Sequence, residues 1–253
     1  MEHLVFQLQA PLSSWGEPAV GEFRGTGDAP TQSAVIGLLG AALGLDRGDE
    51  AAHVALRDGY GIAVALLSSG SLLRDYHTAQ VPSRPLLKGR PHATRRHELQ
   101  VPRHSLGTIL STRDYRQNAA SLVALQPRPD APLEPGALAQ ALRTPRFTLY
   151  LGRKSCAPAA PLWPQVIEAA SAWAAFQRYE ALFEAARQKA LTIEPLPPIR
   201  RLTFDDHTVA GLPGDLTVSR KDRLIRRRGW QFGDRNEHIA LVPEAPSSVT
   251  VET

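Results

Sequence analysis

Pro30-Thr31-Gln32-Ser33-Ala34-Val35-Ile36-Gly37-Leu38-Leu39-Gly40-Ala41-Ala42-Leu43-Gly44 decides how this chain is read. Thr31 or Ser33 has the short hydroxyl side chain that caps a helix N-terminus, and Gly44 ends the apolar run after Leu43. Gly37, Gly40 and Ala41 give the predicted helix a small-residue face that can lie close against a sheet. Before it, Leu4 to Leu8 reads as a buried strand. After it, a short helix at about Glu50 to Arg57 leads into a second strand, Tyr60 to Leu67.

Further along, Asp75 to Ser105 is rich in Pro, Arg and His, without a helical period and with little apolar content. It is too long for an ordinary loop and is expected to project as an arm ordered by a ligand. Strand-like runs return at Thr108 to Ser111 and Ser121 to Leu125, with a short helix at Gly136 to Leu142 and another strand at Arg146 to Leu151. Val166, Ala169, Trp173, Phe176, Phe183 and Ala186 recur at three-to-four spacing, so one long amphipathic helix is expected over Pro164 to Leu191. Short strands should fill the rest, with a frayed tail from Pro243 to Thr253. Strand, helix, strand, arm, strand, helix, strand is compatible with an α+β, ferredoxin-like (split βαβ) sheet.

Composition narrows the function classes. At 253 residues, 43% hydrophobic, the chain can bury a substantial core. A single cysteine, Cys156, excludes both an internal disulfide and a cysteine-rich zinc site. The N-terminus has no basic region ahead of its apolar run and no cleavage signal. The longest apolar stretch, Ala34 to Leu45, is too short to span a bilayer, so a soluble, cytoplasmic protein without membrane partners is expected. The net charge of +4 is modest, but its distribution is not. Between Arg74 and Arg116 nine basic residues face three acids, and Arg220 to Arg228 holds six against one. Arginine greatly outnumbers lysine, and its planar fork pairs with phosphate and stacks on bases. Solvated charged faces are the alternative reading of either cluster taken alone.

No HExxH, GxSxG, Walker A or EF-hand pattern is present. Gly25 to Ser33 has glycines, hydroxyls and a helix start that suit a phosphate, yet an ordinary turn with an N-cap fits the same residues. His92, His97 and His104 share no helix face and have no cysteine company, so no metal or other cofactor is expected. Arg74-Asp75-Tyr76-His77-Thr78 carries a ring that can stack a base and a histidine that can move a proton. Tyr76 and His77 therefore fit either RNA binding or metal-free RNA cleavage, with binding the first reading. Arg113-Asp114-Tyr115-Arg116 repeats the arrangement, and Pro145 to Cys156 interleaves rings with cations, which suits a single strand. Phe147 within it is more simply a core residue.

Trp15-Gly16, Pro30 to Gly44, Arg74 to Thr78, Asp114 to Arg116, and Pro145 through Cys156 to Pro161-Leu162 follow one another in the order found in a known family. Through them the chain resembles the type I-E branch of the CRISPR-associated protein 5 family. The match thins beyond Leu162, with Gln231, Phe232 and Arg235 as weak continuations. The resemblance implies a ferredoxin-like RAMP domain over 1–162 with a β-hairpin thumb at about 77–105. A smaller C-terminal region, 163–253, would hold the 164–191 helix and short strands. It implies a non-catalytic Cascade subunit that holds the 5′ handle of the crRNA beside the large subunit and the first backbone subunit, meeting target DNA through the complex. The RNA-binding residues would be Trp15, Arg24, Thr31, Ser33, Arg74, Tyr76, His77, Arg103, Arg113, Tyr115, Arg116, Arg146, Tyr150, Arg153, Lys154 and Ser155. Type I-C relatives cut precursor RNA with a tyrosine and an adjacent Lys-His pair. No lysine here is followed by histidine, which favours a binder over the alternative, a metal-independent endoribonuclease.

Overall fold

Side chains of Glu2–Ser13 (β1) alternate between two faces, with Leu4, Phe6 and Leu8 entering one core and Val5 another. This is a computed structural model, and it describes residues 1–16, 19, 21–190 and 193–242. The expected frayed tail and Leu191, the last residue of the expected long helix, lie outside the described residues.

The remaining strands are Phe23–Arg24 (β2), Tyr60–Ser68 (β3), Ser71–Pro82 (β4), Leu106–Pro127 (β5), Gln165–Glu168 (β6), Arg201–Phe204 (β7), Leu216–Arg226 (β8) and Gln231–Leu241 (β9). They form one mixed sheet in the order β6-β1-β5-β3-β7-β9-β8, with β2 and β4 also pairing with β5. Every pairing is antiparallel except that of β2 with β5. Helices Gln32–Leu43 (α1), Glu50–Asp58 (α2) and Pro135–Arg143 (α5) cover one face, where Ile36, Leu39, Leu56, Leu138 and Leu142 meet Phe6, Val64 and Val123. Helix Ala172–Arg187 (α6) covers the other with Ala172, Ala175, Phe176 and Tyr179, against the small side chains Ala63, Ala65 and Ala124. Residues 163–242 thus add four strands to the same sheet rather than building a second one. Among the described residues no helix is long and apolar enough to cross a membrane.

Thr31 caps α1 by accepting from the Ala34 N–H, and Gly44 is its left-handed C-cap. The small residues of α1, however, do not face the sheet. Gly40 packs on His53 of α2, and Gly37 and Ala41 line a cleft.

The arm is more regular than its composition suggests. β4 pairs with the outer half of β5 without a break from Ser71 with Gln117 to Pro82 with Leu106. Short helices Arg84–Leu87 (α3) and Arg95–Glu98 (α4) and a 3-10 turn, Arg103–Ser105, form its tip. The two runs read as separate strands are one 22-residue strand. Both faces of this ribbon meet solvent along much of its length, so no apolar alternation marks it. It leaves the sheet where Asn118 and Gly70 both take positive φ. A Cβ on Gly70 would lie 2.1 Å from the Gln117 carbonyl oxygen, so only glycine fits that corner.

Two further expectations are corrected. Arg146 to Leu151 is not a strand: the Arg146 and Phe147 N–H groups donate to Ala42 and Ala41 at the end of α1, and Phe147 is exposed rather than in the core. The helix expected from Pro164 to Leu191 is a strand followed by a shorter helix. Gln165 to Glu168 pairs with the open edge of β1, His3 opposite Ile167, and Val166 points outward. The periodic match of Val166 and Ala169 with the true helix was coincidental; α6 begins only after Ser171, whose hydroxyl accepts from the Ala174 N–H. Ser171→Ala is expected to cost about 1 kcal/mol, or about 2–4 °C in Tm for a chain of this size. Calorimetry showing no change would place the helix start elsewhere.

Candidate nucleic-acid interface

Ala34, Gly37, Leu38 and Ala41 recur at helical spacing along α1 and form the floor of a cleft of about 260 Å3. Thr31 and Ser33 stand at its start, their hydroxyls 3.2 Å apart. One wall is the irregular segment Tyr150, Gly152 and Arg153, with Ser14 and Gly16 beside it. The other is the β8–β9 hairpin, which contributes Leu224 and Phe232 from its strands and Arg227 and Trp230 from its turn.

The Arg153 wall is fixed by close backbone approach. Gly152 has φ 89°, and a Cβ there would meet the Ser14 carbonyl oxygen at 1.7 Å. The Ser14 N–H in turn donates to Leu151. Arg153 donates to the Asp114 and Arg24 carbonyl oxygens, both at 3.1 Å, and its guanidinium lies 4.5 Å from the Tyr115 ring centroid. Behind it, Asp114 is buried and accepts both arms of Arg74 at 2.9 and 3.1 Å. That pairing, chiefly, holds the Asp114 carboxyl below its ordinary range. Arg74 also rests on Phe23, and Arg116 donates to the Gly27 carbonyl.

The opposite wall is stitched to the helices by three carboxylates. Glu50 accepts from the Arg228 and Arg227 backbone N–H groups at 2.7 and 2.8 Å, and those two donors keep its carboxyl below the usual range. Asp58 pairs with Arg57 and Arg223. Asp222 accepts from the Gln32 N–H of α1 and from Arg235. Trp230, 53% exposed, stands at the rim with Arg47 4.9 Å and Arg227 5.9 Å from its ring.

Of the residues singled out from the sequence, the cleft gathers Thr31, Ser33, Tyr150 and Arg153. Arg24, Arg74, Arg113, Tyr115 and Arg116 adjoin it around the base of the β4–β5 ribbon. Trp15 does not present a ring for stacking: it is buried in the core, and its backbone N–H donates to Thr26. Tyr115 is buried beneath Arg153. Arg146 lays its aliphatic stem over Gly44, whereas Lys154 and Ser155 are exposed on the turn closed by Cys156. Cys156 itself is buried, and burial pushes its thiol pKa up. Tyr76 and His77 lie out along β4, and Arg103 sits at the tip. Ser14, Arg227 and Trp230 were missed. Arg227 lies in a basic run visible in the sequence, but no local pattern says that this run folds back onto α1.

Residues 3–235 match the family model described as CRISPR-associated protein (Cas_Cas5). The CRISPR system Cascade subunit CasD of Escherichia coli (strain K12) is 34% identical over 186 residues, which cover 70% of this chain and 77% of that protein. A chain of a CRISPR RNA-guided surveillance complex superposes with a TM-score of 0.61 at 22% identity, over 95% of this chain and 90% of that one, a likeness of fold. A crystal structure of a Cas protein gives 0.60 at 26% identity, over 95% of both chains.

Proposed function

The chain belongs to the CRISPR-associated Cas5 family, and from that premise we propose that it is a Cascade subunit that holds the 5′ handle of the crRNA and does not cut it. The observation that carries this is the cleft over α1. It sets two arginines on facing walls, hydroxyls at one end and the rings of Tyr150 and Trp230 beside them. Cations for phosphates and rings for unpaired bases are what a single-stranded nucleotide needs, and no base-paired helix fits a space of this size.

The fold supports the same reading. In the central order β6-β1-β5-β3, β1 and β3 are both antiparallel to β5; α1 joins β1 to β3, and α5 joins β5 to β6. That arrangement favours a ferredoxin-like core that runs through β6, past the division at residue 162. The β4–β5 ribbon is then the thumb. The 12 residues of β4 span roughly 40 Å at the antiparallel rise. That is enough to carry Arg84, Lys88, Arg90, Arg96 and Arg103 to the guide and the neighbouring backbone subunit. The large subunit and, through the complex, target DNA are the remaining partners of this proposal.

The ribbon also argues against the endoribonuclease alternative. Tyr76 and His77 are consecutive on a strand, so their side chains leave opposite faces and cannot act on one phosphodiester. His77 has Asp75, 3.7 Å away, as its charged neighbour. We expect the purified protein to retain a short RNA of defined length, and labelled repeat RNA to stay intact with it in EDTA. Specific cleavage abolished by His77→Ala would replace this reading with the enzymatic one.

A further inference from the structure

Arg227 is a half-buried cation in the turn between β8 and β9. Three other arginines of the β8–β9 hairpin have a carboxylate: Arg220 pairs with Glu237, Arg223 with Asp58, and Arg235 with Asp222 and Glu237. Among the described residues Arg227 has no ion pair, and its buried Nε has no hydrogen-bond partner. Burial and the nearby charge of Arg47 both disfavour its charged form. Two guanidinium groups flank the Trp230 ring, and the nearby charge of Glu50 offsets their repulsion and the burial of Arg227 only in part.

The carboxylate that could have paired with it is used differently. Glu50 accepts from the backbone N–H groups of Arg227 and Arg228, which fixes the turn without a direct ion pair to the Arg227 guanidinium. The guanidinium is aimed across the cleft at Gly37; a Cβ on Gly37 would lie 3.1 Å from its Nη2. The missing side chain at that point of α1 lets the guanidinium lie close against the helix within the cleft.

We infer that Arg227, positioned by Glu50, is a phosphate-binding residue of the cleft, and that a phosphodiester of the bound RNA is its counter-ion. This rests on the RNA reading of the cleft and extends it: the C-terminal hairpin becomes part of the RNA site rather than a separate appendage. Glu50 is a positioning residue that acts through the turn.

The test is a fluorescence-anisotropy titration of the full chain with a labelled single-stranded oligoribonucleotide over a series of NaCl concentrations. Arg227→Ala should bind about tenfold more weakly, the equivalent of one such contact. Its log Kd against log salt should be shallower by about 0.7, the signature of one single-strand phosphate. Arg227→Lys should recover the slope but not the full affinity, because an ammonium cannot replace the fork. Glu50→Ala discriminates by sign. On charge alone, removing an anion beside RNA tightens binding; loss of a positioning clasp weakens it, and a severalfold weakening is expected.

A steep salt dependence in the wild type, unchanged in Arg227→Ala, overturns the Arg227 assignment and leaves the RNA reading standing. Tighter binding by Glu50→Ala overturns the positioning role. A wild type whose affinity is flat with salt brings down the RNA reading and this inference together. Thermal melts of each variant show whether a loss of affinity is a loss of fold, and Arg227→Lys, which keeps charge and bulk, remains decisive should the alanine variant melt early.

Discussion

Asp222→Ala is expected to destabilise the fold by about 3–5 kcal/mol, the scale for breaking one side of a buried ion pair. The Asp222 side chain is 3% exposed and that of Arg235 11%. The carboxylate takes both arms of Arg235 at 2.6 and 2.9 Å and also accepts from the Gln32 N–H at the start of α1, at 2.8 Å. Its loss strands a buried guanidinium and unties the C-terminal hairpin from the helix that floors the cleft. Glu237 accepts from Arg235 at 2.7 Å, but one carboxylate cannot fill both sides of the fork. The midpoint of thermal unfolding should fall by roughly 10 °C.

The double variant Asp222→Ala/Arg235→Leu separates the causes. An apolar pair in place of a buried ion pair is often close to neutral, and Glu237 would keep Arg220 at 3.1 Å. More than half of the lost stability should therefore return. A double variant as unstable as the single one would show that the uncompensated charge is not what costs stability there.

What could be read from the sequence divides by the range of the interactions involved. β1, β3, α1 and α5 declare themselves because alternation, the Thr31 cap and the Gly44 stop are local. β6 was hidden because Gln165 to Glu168 is a strand only by virtue of the open edge of β1, some 160 residues earlier. The segment Arg146 to Leu151 has a strand-like composition, yet its first backbone donors serve the carbonyls at the end of α1. From composition alone the ribbon reads as a projecting arm, and only the family resemblance implies a β-hairpin, because a two-stranded element wetted on both faces carries no burial pattern.

The site divides in the same way. Thr31, Ser33, Tyr150 and Arg153 stood out as residue types and do converge. Trp15 stood out equally and is core. Ring chemistry is legible in a sequence, but which face a ring turns to solvent is a tertiary fact. Arg227 and Glu50 lie nearly 180 residues apart, and nothing local links them.

Arg153→Glu is expected to have the largest effect on RNA binding of any single change in the cleft, and Lys154→Glu a small one, although the two are adjacent and carry the same charge. Arg153 lines the cleft, with its guanidinium oriented by the Asp114 and Arg24 carbonyls and by the Tyr115 ring. A cation held in this way needs no further ordering to meet a phosphate, and losing such a desolvated, hydrogen-bonded charge pair costs about 2–5 kcal/mol. That corresponds to a roughly 30-fold or greater rise in Kd. Lys154 is exposed on the turn, where salt screens it, so its reversal should weaken binding severalfold at low salt and hardly at all at high salt. Arg153→Lys keeps the charge without the fork and should fall between wild type and Arg153→Glu. Because Arg153 also covers Tyr115, a modest loss of stability is expected in both Arg153 variants. Only the loss of RNA affinity should track the charge. If Arg153→Glu and Lys154→Glu weaken binding equally, the RNA is held by a diffuse basic surface and not by the cleft over α1.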